Sequence, residues 1–221
     1  MPAIQQANNL GDVLKFEAPN LYSRETVTVL GGVGTERVLP VGTVIGRRTK
    51  SEVAAAADAG NSGDGTIGTV TLGSQAVPGV YSLTCIIASA DSGTFQVVDP
   101  NGHRLPDVTV GVAYDTSHLK FTITDGATDF VVGDYFTVLV TGDGNVVAMD
   151  PAAVDGSADP IGIIAQRVVA PVGQDVPEVA ILRHAILADH AVVWPESINE
   201  TQKLEATAAL EARGILIRLG V

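Results

Sequence analysis

The sequence predicts a mainly β protein with one C-terminal α-helix: a small β-rich core interrupted by an inserted β-sandwich or barrel-like domain. Three observations predict it. Short apolar runs recur along most of the chain, separated by clusters of Gly, Asp, Asn and Pro, which is the pattern of many short strands. The chain holds 24 Gly and 11 Pro in 221 residues, which supplies the turns such strands need. Only one segment, near the C-terminus, carries the start and stop signals of a helix. At 46% hydrophobic and 17% charged residues the chain can build a core and is too apolar to stay disordered. Aromatics are 5%, so the core is expected from Val, Ile, Leu and Ala.

Residues 1–22 show no clear period and scatter apolar positions among Gln, Asn and Pro. They read either as a frayed terminus or as an arm that orders when something holds it. Glu25–Leu30 alternates polar and apolar, the signal of a half-buried strand. Gly31-Gly32-Val33-Gly34 turns the chain, and Leu39–Gly46 follows as turn and strand. Ala54–Ala57 leads into a loop by composition, Asp58–Gly65. Strand-like runs then recur at Ile67–Leu72, Val80–Ile87, Thr94–Val98, Val108–Val112, Leu119–Thr124 and Tyr135–Val140. From residue 147 the first pattern returns, with strands at Ile161–Ala165 and Val179–Leu182. The expected organisation is an arm over 1–22, a discontinuous core of 23–54 and 147–221, and an inserted β-domain over 55–146.

The tail reads as an apolar strand through Ala191-Val192-Val193-Trp194, a stop at Pro195, one helix over about Ile198–Ala212, and a last strand from Ile215. Ser197 and Glu200 have capping-box spacing. Gly214 sits where a helix stops, since glycine enters the left-handed region cheaply. Ile198, Leu204, Ala208 and Leu210 give the helix a narrow apolar stripe, suited to lying on a sheet. Trp194, the sole tryptophan, reads as a core anchor or as a subunit contact.

The formal charge of −12 argues against a nucleic-acid surface and against docking on anionic lipid. No run approaches the roughly 20 apolar residues of a membrane span, and the first ten residues lack the basic start and apolar centre of a secretory signal. Residues 55–146 hold ten Asp, no Glu and two basic residues, Arg104 and Lys120, a net of −8. Asp without Glu fits turn chemistry, because Asp bonds its own backbone in tight turns. Cys85, the only cysteine, lies in an apolar run and reads as a small buried hydrophobe.

Catalytic and metal motifs are not legible. Gly32-Val33-Gly34 is followed by Arg37 and Val38-Leu39-Pro40, so no helix N-terminus is available to hold a pyrophosphate. His184 and His190 would face one side of a continuous strand but stand roughly 20 Å apart. The acidic turns Asp58–Gly65 and Gly142–Asn145 lack the calcium-loop pattern ending in Glu. Asp125 and Asp129 flank a hairpin loop with no implied apolar pocket to separate their pKa values. The expectation is no enzyme, no cofactor and no metal.

The chain resembles the lambda-type head decoration proteins of tailed phages. The residues that carry the resemblance are Ser23–Val29, Leu39–Gly46, Ile161–Ile164, Val193-Trp194-Pro195, Thr201-Gln202-Lys203, Leu210-Glu211-Ala212 and Gly214-Ile215. Gly93–Pro100 and Asp125–Phe130 look like an extra β-domain found in larger relatives. The resemblance implies a homotrimer on the outer surface of the virion, made in the host cytoplasm. It would sit at local threefold sites of the expanded head and hold the major capsid protein against DNA pressure. It implies a capsid-binding arm, here assigned to Pro2, Ala3, Ile4, Gln5, Gln6, Leu10, Leu14 and Phe16, and makes Trp194 and Pro195 candidates for a trimer or core anchor. Nucleic acid and membrane are not among the expected partners. The alternative is a displayed binding module whose inserted β-domain recognises a host glycan or protein.

Overall fold

A computed structural model describes residues 8–220. In chain order these form α1 (Leu10–Val13), β1 (Leu14–Glu17), β2 (Arg24–Val29), β3 (Arg37–Leu39) and β4 (Val44–Arg47). Next come β5 (Glu52–Ala57), β6 (Thr66–Ile67), β7 (Thr71–Leu72), β8 (Gly79–Ser89) and β9 (Ser92–Val98). Then follow β10 (Val108–Thr109), β11 (Ala113–Asp115), β12 (Leu119–Thr124) and β13 (Tyr135–Thr141). The last part contains β14 (Val146–Ala148), β15 (Pro160–Ile164), β16 (Val168–Ala170), β17 (Val176–Ile181), β18 (Ala185–Ala188), α2 (Glu200–Ala212) and β19 (Ile215–Arg218). The chain is thus mainly β with one long C-terminal helix. It divides into two compact units: the second is Thr49–Asp143, and the first is formed by the described residues on either side of that segment.

The first unit is built on a closed barrel in the order β14-β2-β17-β15-β4. Closure removes the free edges that an open sheet must protect. Val27, Val29, Ile45, Val146, Ile164 and Ala180 fill one core cluster, supplied by inward positions of alternating strands. Gly46 is demanded by proximity: a Cβ there would lie 2.1 Å from the Ser157 carbonyl oxygen. Beside the barrel lies a three-stranded sheet, β1-β18-β19, in which β18 and β19 are parallel. Parallel neighbours need a crossover connection, and α2 is that connection. Ala206 and Leu210 bury one face of α2 in a second cluster with Val44, Ile163, Ile181, Leu187 and Ile215.

The C-terminal segment corrects three sequence expectations. The helix starts at Glu200, and its capping box is formed by Asn199 and Gln202, with Asn199 Oδ1 accepting from the Gln202 N–H at 2.9 Å. Ser197 and Glu200 do not form the box, because the chain turns into the helix two residues later than their spacing suggests. Leu204, assigned to the apolar stripe, is 71% exposed; the buried pair is Ala206 and Leu210, four apart. Residues 191–194 are not a strand: Asp189–Ala191 is a turn of 3₁₀ helix, and only Val193 bridges to Thr43. Gly214 does stop the helix, with φ of +75°.

The second unit packs a five-stranded sheet, β10-β9-β8-β13-β5, with a smaller one, β11-β12-β6, to which β7 adds on β12. Its core contradicts the aliphatic expectation. Phe95, Phe130 and Phe136 are mutually in contact, with ring centroids 5.0–5.7 Å apart, and Tyr81 is fully buried with them. A scarce residue type has been concentrated in one place. Cys85 is buried in this core, and burial pushes its thiol up. Ala54–Ala57, read as a lead into a loop, belongs to β5, which pairs along its whole length with β13. Alanine carries little strand preference, so the register partner decides.

Asp134 pins this unit's long loop. Its carboxylate accepts from the N–H groups of Ser62 at 2.8 Å, Gly63 at 2.9 Å and Val131 at 3.0 Å. Burial alone would push its carboxyl up; the three N–H donors outweigh that and hold it below the usual carboxylate range. Asp134→Asn should therefore cost about 2 kcal/mol, read by urea unfolding. The carboxylate's contribution is present above the unfolded value near 3.9 and is lost as pH falls through the lower folded value. An acid titration of wild type should show this step and the Asn variant should not.

The chain leaves and re-enters the first unit at adjacent points. The Arg48 N–H donates to Asn145 O at 2.9 Å and the Gly144 N–H to Arg48 O at 3.1 Å. Replacing residues 49–143 by a short glycine turn should leave a protein that still unfolds cooperatively by circular dichroism. Loss of the transition would show that the barrel cannot close without the second unit.

Candidate functional site

The arm residues divide into two groups. Pro2, Ala3, Ile4, Gln5 and Gln6 lie outside the described residues. Leu10 opens α1, and Leu14 and Phe16 belong to β1. Asn9 caps α1 by accepting from the Asp12 N–H at 3.2 Å, while Asp12 accepts from the Asn9 N–H at 2.9 Å. Val13 is fully buried, and Leu10 and Leu14 pack partly against the same cluster as α2. Asn8 ties the segment down by donating to Ala191 O at 3.2 Å. β1 then pairs antiparallel with β18, with a register irregularity between Leu14 and Phe16 that sets Phe16 outward, 55% exposed.

A tight turn follows, Pro19-Asn20-Leu21-Tyr22. Asn20 and Leu21 both have φ of +60°. Asparagine tolerates that conformation; leucine does not, because its Cβ crowds the following carbonyl. Leu21 is nonetheless 65% exposed and Tyr22 55% exposed. The turn is held by Ser23, buried, whose hydroxyl donates to His184 O at 2.8 Å and accepts from the Ala18 N–H at 3.0 Å. Arg183 lies 5.4 Å from the Tyr22 ring centroid and pairs with Glu25. Arg24 makes two bonds to Glu17, at 2.7 and 2.8 Å. That pairing holds the Glu17 carboxyl below its ordinary range and raises the guanidinium. Phe16, Leu21 and Tyr22 are thus exposed within one short segment, which also carries Glu17, Arg24 and Glu25 of the two ion pairs.

Trp194 is partly buried against the α2 cluster, with the Lys203 ammonium 5.6 Å from its ring centroid. Its indole N–H is buried with no hydrogen-bond partner among the described residues. Pro195 supplies the carbonyl that accepts from the Ile198 N–H at 3.2 Å, which starts the turn into α2. Trp194 and Pro195 are thus placed by the α2 cluster, and the 16–22 surface by β1, β18 and the turn after them.

Among the described residues, one group of acids could share a cation. Oxygens of Asp91, Asp125 and Asp129 lie within 4.8 Å of one another. Asp125 and Asp129 were legible as a pair; Asp91 was not, because it comes from the distant β8–β9 hairpin, where its N–H donates to Asp129 Oδ1 at 2.9 Å. Asp91 and Asp129 are exposed. Leu21, Tyr22 and Arg183 were not legible as one surface either. The available signal was a bulky apolar pair directly after Pro19-Asn20, where a turn favours small polar residues.

These features describe a β-rich protein whose exposed apolar groups suit contact with another protein. Residues 3–215 match the family described as bacteriophage lambda head decoration protein D, and the chain belongs to that family. Membership gives it a place on the phage capsid. No curated protein matches the chain. Solved structures with partial likeness are flagellar. The FlgL protein of Xanthomonas campestris is 21% identical at a TM-score of 0.33, over 47% of this chain and 34% of that one. The flagellar junction protein FlgL of Legionella pneumophila is 14% identical at 0.34, over 48% and 37%. The hook junction protein FlgK of Burkholderia pseudomallei is 24% identical at 0.33, over 57% and 21%. This chain therefore spans well under half the length of each.

Leucine at φ of +60° costs about 1 kcal/mol. Leu21→Asn should thus raise stability by about that amount, measured by urea unfolding. A loss of stability would show that the leucine serves folding through its packing.

Proposed function

We propose that this chain is a non-enzymatic capsid decoration protein. It binds the expanded head as a trimer at local threefold sites and stabilises the shell against internal DNA pressure. The observation that carries the reading is the family match over residues 3–215, which runs through both compact units. The surface at Phe16, Leu21 and Tyr22 supports it, since exposed aromatics and a strained exposed leucine cost the free monomer and fit burial in an assembly. The leading residues 2–7, continuous with the segment that begins at Asn8, act as the capsid-binding arm. Three arms per trimer add avidity, so each contact need not be strong.

Removing residues 2–16 would take away Val13 and β1 as well as the arm, and would confuse binding with folding. Deleting residues 2–7 keeps the Asn8 bond to Ala191, the Asn9 cap, α1 and β1. The intact protein should scatter light as three times 22.7 kDa and saturate expanded capsids. The shortened form should keep its trimeric state and lose binding by at least about tenfold. A shortened form that saturates capsids like the intact one sinks the arm; a monomer that ignores capsids sinks the whole reading.

The second reading, recognition of a host glycan or protein by the inserted unit, is favoured by that unit's own closed core. Its rings Tyr81, Phe95, Phe130 and Phe136 are buried, so sugar stacking would have to use the part-exposed Tyr135. A glycan array probed with the full chain decides it: specific retention supports the reading, and silence removes the glycan form of it.

A further inference from the structure

A cleft of about 190 Å³ opens in the first unit between α2 and the segment 149–160. Met149 and Ala206, both buried, form its apolar base, and Pro151 and Ala209 stand at its sides. Asp159 and Glu205, both exposed, add two carboxylates to the lining. Neither carboxylate has a cationic partner among the described residues. The space is below the roughly 300–1,000 Å³ of sites for drug-sized ligands and suits one long side chain. An apolar base beneath two carboxylates fits a side chain with a hydrocarbon stem and a cationic head, which buries the first and leaves the second at the surface.

We propose that this cleft receives one lysine or arginine side chain of the major capsid protein. The stem lies against Met149, Ala206 and Pro151, and the head pairs with Asp159 and Glu205. The proposal rests on the reading of the chain as a capsid-binding protein. Charge selects the class of partner. The chain carries a formal charge of −12, so its excess carboxylates seek cations from outside. A second copy carries the same excess of negative charge, and six of its thirteen basic residues, Arg24, Arg48, Arg104, Lys120, Arg183 and Lys203, are already paired with its own carboxylates. The positive end of α2 does not oppose a cation here, since Asn199 caps its first turn and Glu205 and Ala209 lie beyond it.

The test titrates the full chain with N-acetyl-arginine amide and, separately, N-acetyl-lysine amide, following the methyl signals of Met149, Ala206 and Ala209 by NMR. At least one probe should give saturable shifts that weaken as salt rises, and the stronger probe names the head group. The shifts should vanish in the double variant Asp159→Asn/Glu205→Gln and in Ala209→Phe, which fills the cleft without changing charge. On expanded capsids the double variant should need about tenfold more protein for half-saturation. Absence of saturable shifts with both probes overturns the cleft's chemistry, whatever the capsids do. Saturable shifts with unchanged capsid affinity in the double variant overturn the capsid occupant. A double variant of lower mass without capsids assigns the cleft to a second copy and also overturns it. Wild-type protein that ignores capsids while still binding a probe sinks the decoration reading and this occupant together, but leaves the chemistry standing.

Discussion

The antiparallel pairing of β4 with β14 is the contact on which the rest of the structure depends. Val146 lies opposite Arg47, Val147 opposite Gly46 and Ala148 opposite Ile45, across an interval of nearly a hundred residues. Without it the first unit would be an open sheet with two free edges, since β14 also carries the parallel contact to β2 that closes the ring. The same pairing brings the two ends of the intervening segment side by side. In physical terms β4 and β14 form a hairpin whose turn has been replaced by a folded unit. Closing so long a loop is costly only in proportion to the logarithm of its length. A unit with its own core reduces that cost further by fixing its ends.

The side chains around this pairing make it specific. Asp175 accepts from the Gly31 N–H at 2.8 Å and from the Asn145 amide at 2.9 Å, so one carboxylate ties the end of β2 to the start of β14. Arg48 reaches Asp155 at 3.0 Å, and Asp155 accepts from both the N–H and the hydroxyl of Ser157. Ser157 in turn is the residue whose carbonyl forbids a side chain at Gly46. The backbone contact and the polar contacts therefore select the same register, and a slip by one residue would break both.

What was legible beforehand follows from where local signals dominate. Leu119–Thr124 alternates cleanly and is β12 to the residue, because one face is buried and the other wet. Gly214 ends α2 because no other residue enters that conformation as cheaply. Signals failed where a distant partner decided. β5 is four alanines and two other residues, and is a strand only because β13 runs beside it. Ala191–Trp194 has strand composition but forms one isolated bridge, Val193 to Thr43, so it stays irregular. The cap of α2 moved from Ser197 to Asn199 because both are good caps and packing of Ala206 and Leu210 chose between them. For the candidate surface, Phe16 was visible as an apolar residue in a polar segment. Leu21 and Tyr22 became visible only once the turn's conformation was known.

The treatment of aromatic side chains separates the two units in kind. The chain has five phenylalanines, and four of them lie in the second unit, all buried. That unit uses its rings for folding. In the first unit Phe16 and Tyr22 are exposed, and the core is made largely of Val, Ile, Leu and Ala. A barrel that closes by backbone pairing and aliphatic packing does not need those two rings for stability. Nor does it need a leucine in the left-handed region. Residues that cost a free protein and do not help it fold fit burial under a partner, which is why the proposed capsid contact includes Phe16, Leu21 and Tyr22 of the first unit.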